Sequence, residues 1–340
     1  MNLFLHCRHR PAQDPSAGAR AFQGRRRLPA RALFGPLLLA AMAMAPSAAL
    51  ACACGCGIYE VGTSSMIPDG AGVETFVDYD YQDQNHNWSG DSQAPASDND
   101  DKDIRTSWYT LGFQEMFNRT WGLRLEVPYE ERHFVTTGGA SGNDIVFLDY
   151  SGVGDIRIEG IYTGLSGDMS EGLTFGLKLP TGSFTKEDAY DDIDRDSQIG
   201  SGSTDLLLGG YQRFGFGETS SWKGFSQALL DFPLLSQVQY RPGTEFDAAV
   251  GAYYDGLKIG RLRISPIGQL KLSVRSRDTG ANSADPVASG FVRVLAAPGL
   301  ELDLHPFMVY TDVELPLFSH FRGDQLVAKQ LFRLNVSTHF

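Results

Sequence analysis

Three cysteines fall within five residues, Cys52, Cys54 and Cys56, in the run Cys-Ala-Cys-Gly-Cys-Gly. In an extended segment they share one face, and three soft thiolates suit copper(I) or zinc. In an oxidising compartment a disulfide would leave one thiol over. Cys52 directly follows Ala51, so lipid attachment there is a third option. Two acidic stretches could bind hard cations. One holds Asp98, Asp100, Asp101 and Asp103; the other holds Glu187, Asp188, Asp191, Asp192, Asp194 and Asp196. The ligand type suits calcium, but the glycine and closing glutamate of a twelve-residue calcium loop are missing. Solvated loops, bridged by divalent ions to lipopolysaccharide, are the plainer expectation.

Enzymatic chemistry has little support. There is no Gly-x-Ser-x-Gly elbow, no His-Glu-x-x-His and no phosphate loop. Beyond residue 51 the histidines (His86, His133, His305, His320, His339) are scattered, and His320, after Ser319, is the one that could be read as a rim acid–base group. The chain is expected not to be an enzyme and to need no organic cofactor.

Residues 1–51 hold seven arginines and one acid, Asp14, then an apolar run from Leu33 to Leu50 that closes on Ala49-Leu50-Ala51. This is the layout of a cleaved export signal. The whole chain has 29 basic and 41 acidic residues; without residues 1–51 it has 22 and 40, a net charge of −18. Such a balance excludes nucleic acid as a partner. No later apolar run is long enough for a membrane helix.

The remaining chain reads as strands. Val73, Thr75, Val77, Tyr79 and Tyr81 alternate with Glu74, Asp78, Asp80 and Gln82. Leu123, Leu125 and Val127 alternate with Arg124 and Glu126; Ile156, Ile158 and Tyr162 with Asp155, Arg157 and Glu159. Leu262, Ile264, Leu270 and Leu272 oppose Arg261, Arg263, Gln269 and Lys271, and Leu300, Leu302 and Leu304 oppose Glu301, Asp303 and His305. Segments 104–117 and 222–232 are ambiguous in parity. A charge facing mid-bilayer lipid costs roughly 2–4 kcal/mol, so in a membrane barrel the charged face is the lumen. Its expected lining is Glu74, Asp78, Asp80, Arg124, Glu126, Asp155, Arg157, Glu159, Arg261, Arg263, Lys271, Arg293 and Arg333. Acids come early and bases late, so the two signs are expected to oppose each other across the lumen, with Glu126 and Arg157 as mutual candidates.

Long polar segments near 83–103, 134–152, 181–202, 233–244, 275–288 and 312–323 alternate with short turns near 118–120, 164–171, 215–221, 255–258 and 297–299. Six long and five short connections predict an all-β, antiparallel transmembrane barrel of about twelve strands, within a range of 10–14. The expected order is a signal peptide at 1–51, a Cys-containing periplasmic segment at 52–72 and the barrel at 73–340.

Two resemblances sharpen this. Phe332, Leu334, Val336, Thr338 and Phe340 alternate with Arg333, Asn335, Ser337 and His339. This resembles the terminal strand of Gram-negative outer-membrane barrels, in which Phe332, Leu334, Val336 and Phe340 would be read by the barrel-assembly machinery. Gly152-Val153-Gly154-Asp155-Ile156, Leu177-Lys178-Leu179-Pro180-Thr181-Gly182 and Gly200-Ser201-Gly202-Ser203-Thr204-Asp205 resemble the outer-membrane barrel family associated with the MetA pathway of phenol degradation. That resemblance implies a channel or transporter for small, aromatic or apolar cargo, partnered by outer-membrane lipid and lipopolysaccharide. It supplies no catalytic residues. Metal handling through the cysteines, or a structural barrel with a closed lumen, are the alternatives.

Overall fold

The computed structural model describes residues 51–52, 67–68, 70–138, 144–187, 193–217, 220–280 and 288–340. The expected signal segment before Ala51, Cys54, Cys56 and Asp188, Asp191 and Asp192 lie outside these residues, and of Cys52 only the backbone is described.

Where aromatic and β-branched residues alternate with polar ones the chain is extended, because such side chains fit a half-buried pleated surface. The strands are β1 (Gly72–Gly90), β2 (Asp101–Met116), β3 (Trp121–Gly138), β4 (Asp144–Val153), β5 (Ile156–Tyr162), β6 (Glu171–Leu179), β7 (Ser203–Gly215), β8 (Trp222–Ser236), β9 (Glu245–Tyr254), β10 (Leu262–Arg275), β11 (Phe291–Leu304) and β12 (Phe307–His339). Each pairs antiparallel with its neighbours in the chain, and β12 pairs back onto β1. β4 and β5 both lie against β3 and form one member interrupted at Gly154-Asp155. Among the described residues the closed ring thus has eleven members. Closure leaves the ring without a free end strand, as backbone groups surrounded by lipid require.

The 33 residues of β12 are used twice. Phe307 to Phe321 pair with β11, and Gln325 to His339 pair with β1. Gly323 lies between the halves at φ 73°, a left-handed conformation that suits glycine. Thr311 Oγ1 donates to the carbonyl of Arg333 at 2.9 Å, tying the halves to each other.

Strands reach further than expected. Much of 83–103, 134–152 and 312–323 is strand rather than loop: β1 runs to Gly90, β3 to Gly138, and β12 straight through Asp312 and Glu314. A span needs only about 9–11 residues. Hairpins continue past that because backbone pairing does not depend on apolar side chains, so polar composition alone does not mark a loop. The turn expected at 297–299 is also strand; the chain reverses at His305-Pro306 instead.

The faces are those of a membrane barrel. Glu74, Phe76, Asp78, Asp80, Gln82 and Gln84 of β1 are buried inward, while Val77 is exposed outward. Leu111, Phe113, Leu123, Ile158, Leu173, Phe175, Leu270 and Val336 are exposed on the outer wall. The two ambiguous segments are explained by apolar residues on the inner face: Ile104, Trp108 and Met116 in β2, Phe225 in β8. Near the rim holding Gly72 and Phe340, Trp121 packs on Tyr162 at 4.7 Å and Trp222 on Tyr254 at 5.3 Å, joined by exposed Phe117, Phe216 and Phe307. Such aromatic girdles mark the bilayer interface.

The two described ends of the segment preceding β1 sit at opposite rims. Ala51–Cys52 run parallel to Ala288–Ser289, just ahead of the far end of β11. Ile67 instead packs with Phe225, Ile267 and Tyr310 in the half nearer Gly72.

Candidate functional site

At the far rim a loop of the chain folds into the lumen. Between β6 and β7 the chain turns inward, and Ile193 and Ile199 are buried against Ile104, Phe134, Tyr150 and Leu326. The carbonyl of Ser197 accepts from Arg132 Nη1 and from the Tyr150 hydroxyl, both at 2.5 Å. At the opposite end Ile67 caps the aromatic cluster, and Arg213 Nη2 donates to the carbonyl of Pro68 at 3.0 Å.

The three glycine-based motifs meet in one knot that holds this loop. Asp155, in the β4–β5 break, accepts from Gly182 N at 2.9 Å, Ser201 N at 2.8 Å and Ser201 Oγ at 2.6 Å. Thr181 Oγ1 donates to Gly154 O and accepts from Ile156 N. Gly182 and Gly200 touch backbone to backbone, and a Cβ on Gly200 would lie 2.2 Å from Gly182 O. Asp155, expected only to line the lumen, is therefore also the loop's anchor.

Between the two lies a cavity of about 280 Å³. Most of the expected lining residues belong to paired networks. Arg333 Nε reaches Asp80 at 2.7 Å, and Asn335 donates to Asp78 at 2.9 Å. Lys271 contacts Glu314 at 2.5 Å and Asp312 at 3.4 Å. Arg124 bonds Gln114 and stands 4.0 Å from Glu126; Gln114 also donates to Glu74. Glu126 and Arg157 are register partners, as are Arg124 and Glu159. Arg293 is fully buried with its guanidinium 5.6 Å from the centre of the Phe321 ring. Arg263 pairs with Asp303 at the rim.

Arg261 is different: it lies in the turn before β10 and is exposed. The apolar alternation ran one position past the strand's start, and a turn residue has no defined face. The expected opposition of acids and bases across the lumen is also replaced. Closure makes β1 and β12 neighbours, so Asp80 and Arg333 meet side by side as register partners.

Other lumen groups could not be read from the sequence. Lys178 bridges Asp205 at 2.6 Å and Asp231 at 2.5 Å. Arg132 pairs with Glu130 at 3.2 Å. Glu245 and Asp247 face inward on β9. Asp312 and Glu314 had a signal, alternation with Thr311, Val313 and Leu315, that reading 312–323 as loop discarded.

At the mouth, Arg195 lies between the rings of Phe184 and Tyr240, 4.4 and 4.6 Å from their centres. Burial, reinforced by repulsion from Asp194, Asp278 and Asp101, holds the Asp196 carboxyl well above the usual carboxylate range. Among the described residues no three Asp, Glu, His or Cys are grouped to hold a metal ion. In the other acidic stretch, Asp103 is engaged by Arg105.

The outer wall has one thin place. Leu173, Phe175, Leu208, Leu230 and Phe246 line an apolar groove on the lipid side. Its floor of Thr174, Gly210, Ala228 and Leu229 also lines the inner cavity.

The outer-wall residues 332, 334, 336 and 340 lie on the closing strand, with Phe332, Val336 and Phe340 exposed and Leu334 half-buried. Phe340 exchanges backbone hydrogen bonds with Val73.

No protein-family profile matches the chain, and no curated protein does. Solved structures do. The COG4313 outer membrane channel from Pseudomonas putida F1 superposes with a TM-score of 0.60 at 13% identity, over 83% of this chain and all of that one. The β domain of the Bordetella autotransporter BrkA gives 0.49 at 11% identity, over 79% and 100%. The Pseudomonas putida toluene transporter TodX gives 0.39 at 9% identity, over 83% and 94%. With its closed antiparallel wall, polar interior and apolar girdled exterior, this chain has the fold of an outer-membrane β-barrel.

Proposed function

We propose that this protein is an outer-membrane channel that passes small apolar molecules. Counting the halves of β12 separately, it is a twelve-stave barrel with Gly72 and Phe340 at the periplasmic rim, exported through a cleaved segment at 1–51. The carrying observation is the shared floor. Thr174, Gly210, Ala228 and Leu229 line both an apolar groove on the outer wall and the inner cavity, so a single layer of strand separates the two. Apolar solute partitions into lipid and gains little from a charged mouth. The fold shared with an outer-membrane channel is consistent with this.

The test is uptake of a neutral aromatic hydrocarbon such as naphthalene by cells that do or do not express the protein. Expression should speed uptake, and Ala228→Trp, which fills the groove floor from outside, should remove the gain. Equal rates with and without the protein refute the proposal.

A structural barrel with a closed lumen is the second reading, favoured by the packing of Ile193 and Ile199 at one end and Ile67 at the other. Planar-bilayer recordings without any conductance, combined with no uptake, would establish it in place of the first.

A further inference from the structure

The cavity wall holds more acidic side chains than basic ones. Eleven Asp or Glu and seven Lys or Arg line it. The imbalance is sharpest between β7 and β10. Asp205, Asp231, Glu245 and Asp247 lie there, Asp231 and Glu245 being direct register partners. Lys178 is shared by Asp205 and Asp231. Arg157, the register partner of Lys178, is drawn to Asp231, Glu159, Glu245 and Asp205 at once. Arg275, the register partner of Glu245, donates to Asp278 of the neighbouring loop at 2.9 Å. Glu245 also accepts from the Ser273 hydroxyl at 3.1 Å.

Asp247 is 5% exposed and meets the hydroxyl of its register partner Ser273, while its Oδ1 accepts no hydrogen bond among the described residues; neither does Oδ1 of Asp231. A buried carboxylate oxygen left without a hydrogen bond is costly, so the site favours a guest that brings positive charge. The guest's shape follows from the neighbours. Leu229 is the register partner of Asp247, and Tyr211 and Leu229 both line the cavity toward the aromatic cluster of Phe225, Tyr253 and Tyr310. No trio of metal ligands is gathered here. An ammonium needs only two or three acceptors, and an apolar body attached to it would lie on Leu229 and Tyr211.

We propose that the lumen binds protonated primary amines carrying a short apolar body, with the ammonium on Asp247 and Glu245. This rests on the channel reading and adds amphiphilic cations to its cargo.

The experiment is isothermal titration of the purified full-length protein in lipid nanodiscs with hexylammonium and with 1-hexanol. The two share a chain and differ in charge. Hexylammonium should bind at least tenfold tighter than hexanol. The double variant Asp247→Asn, Glu245→Gln should bring the amine down to the alcohol's affinity and leave the alcohol unchanged. Hexanol binding with no advantage for the amine, or an amine advantage that survives in the folded double variant, overturns the amine site and leaves the apolar channel standing. Binding of neither ligand overturns both. The wild-type comparison alone decides the matter should the variant fail to fold.

Discussion

Replacing Asp155 should open the barrel's far mouth. Its carboxylate accepts three hydrogen bonds from Gly182 and Ser201, the roots of the inward loop. Hydrogen bonds to a charged group contribute about 1.5–3 kcal/mol each, so three represent about 4–9 kcal/mol in gross terms. In Asp155→Ala the freed donors can find water once the loop swings out, which lowers the net weakening to about 3–5 kcal/mol. The other anchors remain: burial of Ile193 and Ile199, at about 1.5–3 kcal/mol each, and the two donors on Ser197 O. Closed should therefore stay the major state, but the open population should rise by about two to four orders of magnitude, since each 1.4 kcal/mol is tenfold. Single-channel recording should detect it as larger and more frequent openings than in the unaltered protein, with protease gaining access near residues 183–187. Asp155→Asn, which keeps one acceptor oxygen, should fall between, and Ser201→Ala should have a smaller effect. If Asp155→Ala folds and shows unaltered conductance and protease resistance, the loop is not held by this knot.

Further tests address other parts of the molecule. Leu111→Arg, on the lipid face, should cost about 2–4 kcal/mol in urea titrations of folding into liposomes, and a cost under 1 kcal/mol would contradict the assigned face. Lys271→Met strands the buried Asp312 and Glu314 and should destabilise by about 3–5 kcal/mol; the triple change with Asp312→Asn and Glu314→Gln should recover most of it in the same titration. Phe340→Ala should reduce the amount reaching the outer membrane with little effect on the urea midpoint, because the ring is 80% exposed; a shifted midpoint with normal yield would assign it a packing role instead. The raised pKa of Asp196 means that its charged form opposes the inward loop, so that state loses stability as pH climbs above the ordinary carboxylate range. Open probability should fall on acidification from pH 7 to 5, and Asp196→Asn should flatten that dependence.

Parity made the wall legible. Wherever charges and apolar residues kept strict alternation, as in β1, β3, β5 and β10, the inward face could be read directly from the residue types. It failed where the inner face is itself apolar, as at Ile104, Trp108 and Phe225, because period two then separates nothing. Partners were less legible than faces. Asp80 and Arg333 lie 253 residues apart and meet only because the ring closes, and Lys178 joins β6 to β8 across an intervening strand. The glycine motifs could be taken individually as rim turns. That the second and third bind the carboxylate of the first depends on how far the loop after β6 folds back, which local sequence does not specify.

The pairing of Arg333 with Asp80, and of Asn335 with Asp78, makes β12 responsible for satisfying the acidic inner face of β1. Without that strand β1 would keep a bare edge and two lumen carboxylates without these donors. Sealing the wall and neutralising its interior are therefore one event: the ring cannot close in this register without also matching those charges.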